Sequence, residues 1–177
     1  MNRRSFLAII HMGVGFWLLT PFHKIRSLYN RLKGPACPDT AEIKIASRIA
    51  EYIYPESDTP GAVSLGIENF LINQFRTPYY RHYIPSLRRI TRYCNKRCMK
   101  DYSCTFLAAD AEIQRQVVHT ITASETVRQY PEILDDFNSL IDITLEGCFA
   151  DPRHGGNREK RAWQILGGTI NEEWFNA

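Results

Sequence analysis

Asp39-Thr40-Ala41-Glu42-Ile43-Lys44-Ile45-Ala46-Ser47-Arg48-Ile49-Ala50-Glu51-Tyr52-Ile53-Tyr54-Pro55 reads as one helix from cap to stop. Asp39 or Thr40 offers a side-chain oxygen to the first free amides, and Pro55 cannot continue the hydrogen-bond ladder. Between them Ile43, Ala46, Ile49, Ala50 and Ile53 recur at helical spacing and form one apolar face that belongs in a core. The same period returns four times. Leu65, Ile67, Phe70, Leu71 and Phe75 predict a second helix after the turn-rich loop from Pro55 to Ala62, with Thr77-Pro78 as its stop. Tyr83, Leu87, Ile90 and Cys94 share a face of a third, with Pro85 in its first turn and Arg88, Arg89 and Arg92 on its polar side. Ile113, Val117 and Ile121 mark a fourth from about Leu107. Leu134, Phe137, Ile141, Thr144 and Leu145 mark a fifth, preceded by Pro131 and ending near Gly147. No alternating strand pattern of useful length competes, so the fold class is all-α, a single irregular helix bundle of about five helices.

Length and composition agree with one compact domain. The 177 residues are too few for a flavin-binding oxidoreductase with a substrate domain, while 44% hydrophobic and 23% charged residues exclude disorder. The formal charge of +3 is unevenly placed, because Arg3, Arg4, Lys24, Arg26, Arg31 and Lys33 precede the first acidic residue, Asp39. Removing those six leaves the body near −3, which disfavours nucleic acid as a partner.

Arg3-Arg4-Ser5-Phe6-Leu7 opens an apolar run that ends near Pro21-Phe22, a basic region followed by a hydrophobic stretch as in a secretory address. The paired arginines resemble the twin-arginine export signal, which the twin-arginine translocase reads on proteins already folded. The run also approaches the shortest length that spans a bilayer, so a membrane anchor is the alternative. Residues 1–33 are therefore read as signal or anchor. Gly34-Pro35-Ala36-Cys37-Pro38-Asp39-Thr40 then leads as a linker into a domain over 34–177. Export places the protein in the periplasm, peripheral to or tethered at the inner membrane.

Three stretches carry a family resemblance. Ile53-Tyr54-Pro55-Glu56-Ser57-Asp58-Thr59-Pro60-Gly61-Ala62 ends a helix in an Ile-x-Pro turn and opens the next element with Thr-Pro-Gly-Ala. There Asp58 or Thr59 offers a cap, Pro60 presets a backbone angle and Gly61 allows an unusual one. Leu140 to Arg158 runs from a helix through Phe149-Ala150-Asp151-Pro152 into Arg153-His154-Gly155-Gly156-Asn157-Arg158. Trp163-Gln164-Ile165-Leu166-Gly167 follows. In this order they resemble the gluconate 2-dehydrogenase subunit 3 family, with Cys148 before the Phe and Ala162 before the Trp as departures from its pattern. The resemblance implies a small subunit without a redox centre. It also implies a partner, a large FAD-binding subunit of the glucose-methanol-choline type, often beside a cytochrome c subunit carrying haem c. Membrane association, escort of the flavoprotein through twin-arginine export, and a sugar, polyol or sugar acid as the partner's substrate follow from the same resemblance. The chain itself has no Cys-x-x-Cys-His for haem and no Gly-x-Gly-x-x-Gly after a strand for a dinucleotide, so no cofactor is expected in it.

Several residues invite a chemical role. Arg153, His154, Gly155, Gly156, Asn157 and Arg158, with the aromatic tail Trp163, Trp174 and Phe175, are expected at the partner interface, since buried Trp and Arg commonly anchor interfaces. For the tail, docking onto the domain's own core is the plain alternative. The Gly-Gly-Asn loop with its arginines could also cradle a phosphate. Asp151 with His154 could form an acid/base pair in an independent periplasmic enzyme, and a free-standing periplasmic binding protein is a further reading. Cys94, Cys98 and Cys104 cluster in a basic, aromatic tract, while Cys37 and Cys148 stand apart. In an exported protein at least one disulfide is expected among these five, ahead of unpaired core thiols and of a zinc site completed by His82 or His119.

Overall fold

A computed structural model describes residues 36–167. The paired arginines Arg3 and Arg4, the apolar run behind them, Trp174 and Phe175 lie outside the described residues. Among those described there is no strand, and seven α-helices form the domain: α1 (Thr40–Ile53), α2 (Ile67–Gln74), α3 (Ile84–Tyr102), α4 (Ala111–Ile121), α5 (Ser124–Gln129), α6 (Pro131–Phe149) and α7 (Arg161–Ile165). The expected all-α class holds, with two short helices, α5 and α7, beyond the five read from periodicity.

Local chemistry sets the boundaries. Asp39 caps α1, its carboxylate accepting the Glu42 amide while Glu42 reaches back to the Asp39 amide. Glu42 also pairs with Arg88 of α3 at 3.1 Å, and that arginine donates to the Cys37 carbonyl, so the linker is tied to the bundle where the domain begins. Pro85 and Pro131 sit in the first turns of α3 and α6, where no helical amide bond is lost. α4 starts at Ala111 rather than near Leu107, because Asp110 accepts the Ile113 amide and caps it there. The tract before it folds as a turn around buried Phe106, whose amide donates to Asn95 and whose carbonyl accepts from Gln114.

The two 19-residue helices, α3 and α6, pack against each other and organise the core. Ile84, Leu87, Ile90 and Cys94 of α3 and Ile133, Leu140 and Ile143 of α6 are buried there with Ile43, Ala46 and Ile49 of α1. One ion pair crosses this layer. Asp136, almost fully buried, takes both Nε and Nη2 of Arg89, a bidentate geometry that offsets the desolvation of the carboxylate. Gly147 does not stop α6, which continues to Phe149. Its missing side chain is where α2 packs: a Cβ there would lie 2.5 Å from Ile67 Cδ1 and 2.8 Å from Phe70 Cδ1.

Candidate functional site

The segments that carried the sequence resemblance are far apart in the chain and meet at one end of the bundle. The first is a closed loop. Tyr54, the C-cap of α1, accepts the Ala62 amide at 2.8 Å, and its ring packs edge-on against Phe149. Glu51, a residue the sequence did not single out, closes the loop from inside α1: one carboxylate oxygen accepts the Glu56 amide at 3.1 Å and the other the Val63 amide at 2.8 Å. Glu51 thus performs the capping expected of Asp58 or Thr59. Gly61 is required for close approach rather than for an unusual angle, since a Cβ would stand 2.4 Å from Glu51 Oε1 and 2.5 Å from the Glu56 amide nitrogen. The turn leads through Gly66, at φ 89°, into α2.

The second segment leaves α6 at Ala150 and folds back over α2. Asp151 accepts the Arg153 amide at 2.8 Å and pairs with the Arg153 guanidinium, which holds the Asp151 carboxyl below its ordinary range. Gly155, at φ 101°, makes the reversal and lies against α2, where a Cβ would meet Asn73 at 2.7 Å. Gly156 crosses α6 so closely that a Cβ would fall 1.9 Å from the Gly147 carbonyl oxygen. Asn157 is the lock. Fully buried, with φ 43°, it donates its amide to the Gly147 carbonyl at 3.1 Å and its side-chain nitrogen to the Ala150 carbonyl at 3.0 Å, and its side-chain oxygen accepts the Ala162 amide at 2.9 Å. Asn tolerates the left-handed region better than most residues and can supply a donor and an acceptor together.

Two further bonds join the segments into one junction. The Arg158 amide donates to the Leu65 carbonyl at 3.0 Å, and Asn73 of α2 donates to the His154 carbonyl at 3.3 Å. The third stretch closes it from outside: Trp163, 7% exposed, donates its indole N–H to the Phe149 carbonyl at 2.8 Å, and Ala162 is buried beside it.

This geometry changes the roles expected of the individual residues. Gly156, Asn157 and Trp163 are buried against this domain's own core, so the plain alternative for the aromatic tail holds at Trp163. Removal of everything after Asn157 would open the core at Ala162 and Trp163. Gly155 is half-buried; Arg153, His154, Arg158, Glu159 and Lys160 form the exposed rim, followed by exposed Ile165 and Leu166. The loop amides are spent internally, Gly155 on Pro152, Asn157 on Gly147 and Arg158 on Leu65, an arrangement unlike a phosphate cradle. Asp151 and His154 share a backbone bond, His154 N–H to the Asp151 carbonyl, while the Asp151 carboxylate is engaged by Arg153.

The cysteines stand as five free thiols. The disulfide expected among Cys37, Cys94, Cys98, Cys104 and Cys148 is not formed in the structure. Burial pushes Cys148 up to about 12 and Cys98 up to about 11, the latter with contributions from Cys104 and Asp101, and raises Cys94 further. Among the described residues, no group of three or more His, Cys, Asp and Glu side chains is placed to hold a metal ion, and no helix is long and apolar enough to cross a membrane.

No curated protein and no solved structure matches the chain. A family model does, over residues 40–168, and that span runs from the first turn of α1 past the Trp163 closure, so it contains the whole junction. The chain belongs to the gluconate 2-dehydrogenase subunit 3 family.

Proposed function

We propose that this protein is the non-catalytic small subunit of an FAD-dependent, membrane-associated sugar or sugar-acid dehydrogenase of the gluconate 2-dehydrogenase type. It stabilises the flavoprotein and escorts it through twin-arginine export to the periplasm. FAD resides in the glucose-methanol-choline type partner, and haem c in a cytochrome subunit that takes its electrons. The observation that carries this reading is the family match over residues 40–168 together with the use to which the matching segments are put. Their glycines, Asn157 and Asp151 are occupied in closing the domain upon itself, the work of a scaffold rather than of groups held ready for a substrate. The engagement of Asp151 by Arg153 also weighs against an acid/base pair with His154.

The escort role is tested through the export segment. A lysine ammonium does not reproduce the planar donor fork of arginine, so Arg3→Lys with Arg4→Lys blocks twin-arginine recognition without touching the folded domain. In that strain the unmutated flavoprotein stays in the cytoplasm, bound to this chain, and periplasmic dye-linked dehydrogenase activity is lost. Periplasmic flavoprotein at the normal level in the double variant refutes the escort.

A further inference from the structure

α3 carries a charge pattern that the junction does not use. Arg89, Arg92, Lys96, Arg97 and Lys100 follow one another along one side of the helix and line an open cleft of about 370 Å³. Tyr93, Tyr130 and Ile133 also line it, the last two from the corner between α5 and α6. Arg89 is engaged by Asp136, and Arg97 is paired with Asp101 on its own helix. Arg92, Lys96 and Lys100, four residues apart and exposed, have no ion-pair partner among the described residues. Stacked like charges at this spacing are unfavourable in an isolated helix. Glu132 is the one carboxylate in the lining, so five cations face it in a domain whose body from residue 34 onward is net acidic.

The cleft is also shaped in advance. The Tyr93 hydroxyl is within hydrogen-bond distance of both Thr120 and Thr126, and its ring meets Tyr130 edge-on at 6.2 Å. A tyrosine held in place, Tyr93, beside unneutralised cations suits a chain segment that brings carboxylates and an apolar or aromatic side chain together. A planar lipid surface would reach the protruding lysines and leave the recessed tyrosine and isoleucine unfilled.

We propose that the cleft between α3 and the α5–α6 corner is the docking surface for an acidic segment of the flavoprotein subunit. This rests on the small-subunit reading above and adds the surface and the chemistry of the contact. Carboxylates of that segment meet Arg92, Lys96 and Lys100, and one of its apolar side chains lies against Tyr93, Tyr130 and Ile133. Attraction of this kind acts chiefly on the association rate and is screened by salt.

The test uses the full-length chain and the flavoprotein that copurifies with it. Arg92→Glu, Lys96→Glu and Lys100→Glu are combined; all three are exposed, so circular dichroism and Tm should match the wild type. Association with the flavoprotein at low salt should slow by about 10- to 1000-fold, and most of its ionic-strength dependence should vanish. A photo-crosslinking residue at position 96 should join the wild-type chain to an Asp- or Glu-rich peptide of the flavoprotein. Unchanged association and salt dependence in the folded triple variant overturns the cleft while leaving the small-subunit reading intact. So does a crosslink to a basic or neutral peptide, or a loss confined to binding of vesicles containing phosphatidylglycerol. If the wild-type chain brings down no flavoprotein, the small-subunit reading fails first and the cleft with it.

Discussion

Asn157→Ala isolates the lock of the junction, because it removes two side-chain hydrogen bonds and leaves the backbone path unchanged. The Ala162 amide, fully buried, loses its acceptor, and the half-buried Ala150 carbonyl loses its donor. An orphaned buried group costs about 1–3 kcal/mol, and the half-buried carbonyl falls at the low end of that range. Alanine also tolerates φ 43° poorly, which adds about 1 kcal/mol relative to asparagine. Together the loss is about 3–5 kcal/mol, a large fraction of the total stability of a domain this size. With an unfolding entropy near 2.1 cal/mol/K per residue over the roughly 130 residues of the described domain, each kcal/mol lowers Tm by about 3–4 °C, so a fall of about 10–20 °C is expected. Urea titration and scanning calorimetry on the purified chain measure both quantities. Asn157→Gly is the internal control: it loses the same two bonds but accepts the left-handed angle, and should recover about 1 kcal/mol relative to the alanine variant. The reasoning is refuted if Asn157→Ala stays within about 1 kcal/mol of wild type, or if the glycine variant is the less stable of the two.

Truncation after Asn157 removes the Ala162 amide bond and the buried Trp163 ring, so the shortened domain should melt well below the full chain; an unchanged Tm contradicts the placement of Trp163 in the core. The Asp151 carboxyl is held below its ordinary value of 3.8 by Arg153, so its contribution to stability is complete above that pH and disappears as pH falls through the depressed value. Asp151→Asn should therefore flatten the acid limb of the stability profile below about pH 4 and leave its shape from pH 6 to 8 unchanged; identical acid limbs would count against the pair. In reduced, folded protein a maleimide at neutral pH should modify exposed Cys37 first, with Cys94, Cys98 and Cys148 reacting only on unfolding, as mass mapping of the labelled peptides will report.

The five longer helices were legible because each combines apolar periodicity with a cap or a stop, as in Asp39 to Pro55. α5 and α7 were not, because six residues of Ser-Glu-Thr-Val-Arg-Gln and five of Arg-Ala-Trp-Gln-Ile are too short to show a period. Gly147 illustrates a different limit. A glycine near a helix end reads as a stop, yet here the requirement comes from Ile67 and Phe70 of another helix, which no local pattern reveals. Glu51 was missed for the same reason, since an acidic residue within a helix looks like solvated surface until the loop it caps is seen folding over it. The Gly-Gly-Asn segment and Trp163 were recognised as important, but the sequence did not show that Gly156, Asn157 and Trp163 are buried within the domain itself. An aromatic near a chain end serves an interface and a core equally well in sequence, and the indole bond to Phe149 decides for the core. Half of the basic cleft was visible as the polar face of α3, while its other wall comes from the α5–α6 corner, more than thirty residues later.

The central claim is that this chain works as a subunit, and affinity purification of the tagged full-length chain from its own cells tests it most directly. The account predicts a stoichiometric complex with a large flavoprotein, FAD and dye-linked sugar or sugar-acid dehydrogenase activity that travel with the complex, and no flavin absorbance in the chain once the large subunit is stripped away. A chain that purifies alone while the dehydrogenase remains active elsewhere, or one that retains stoichiometric flavin after stripping, contradicts it.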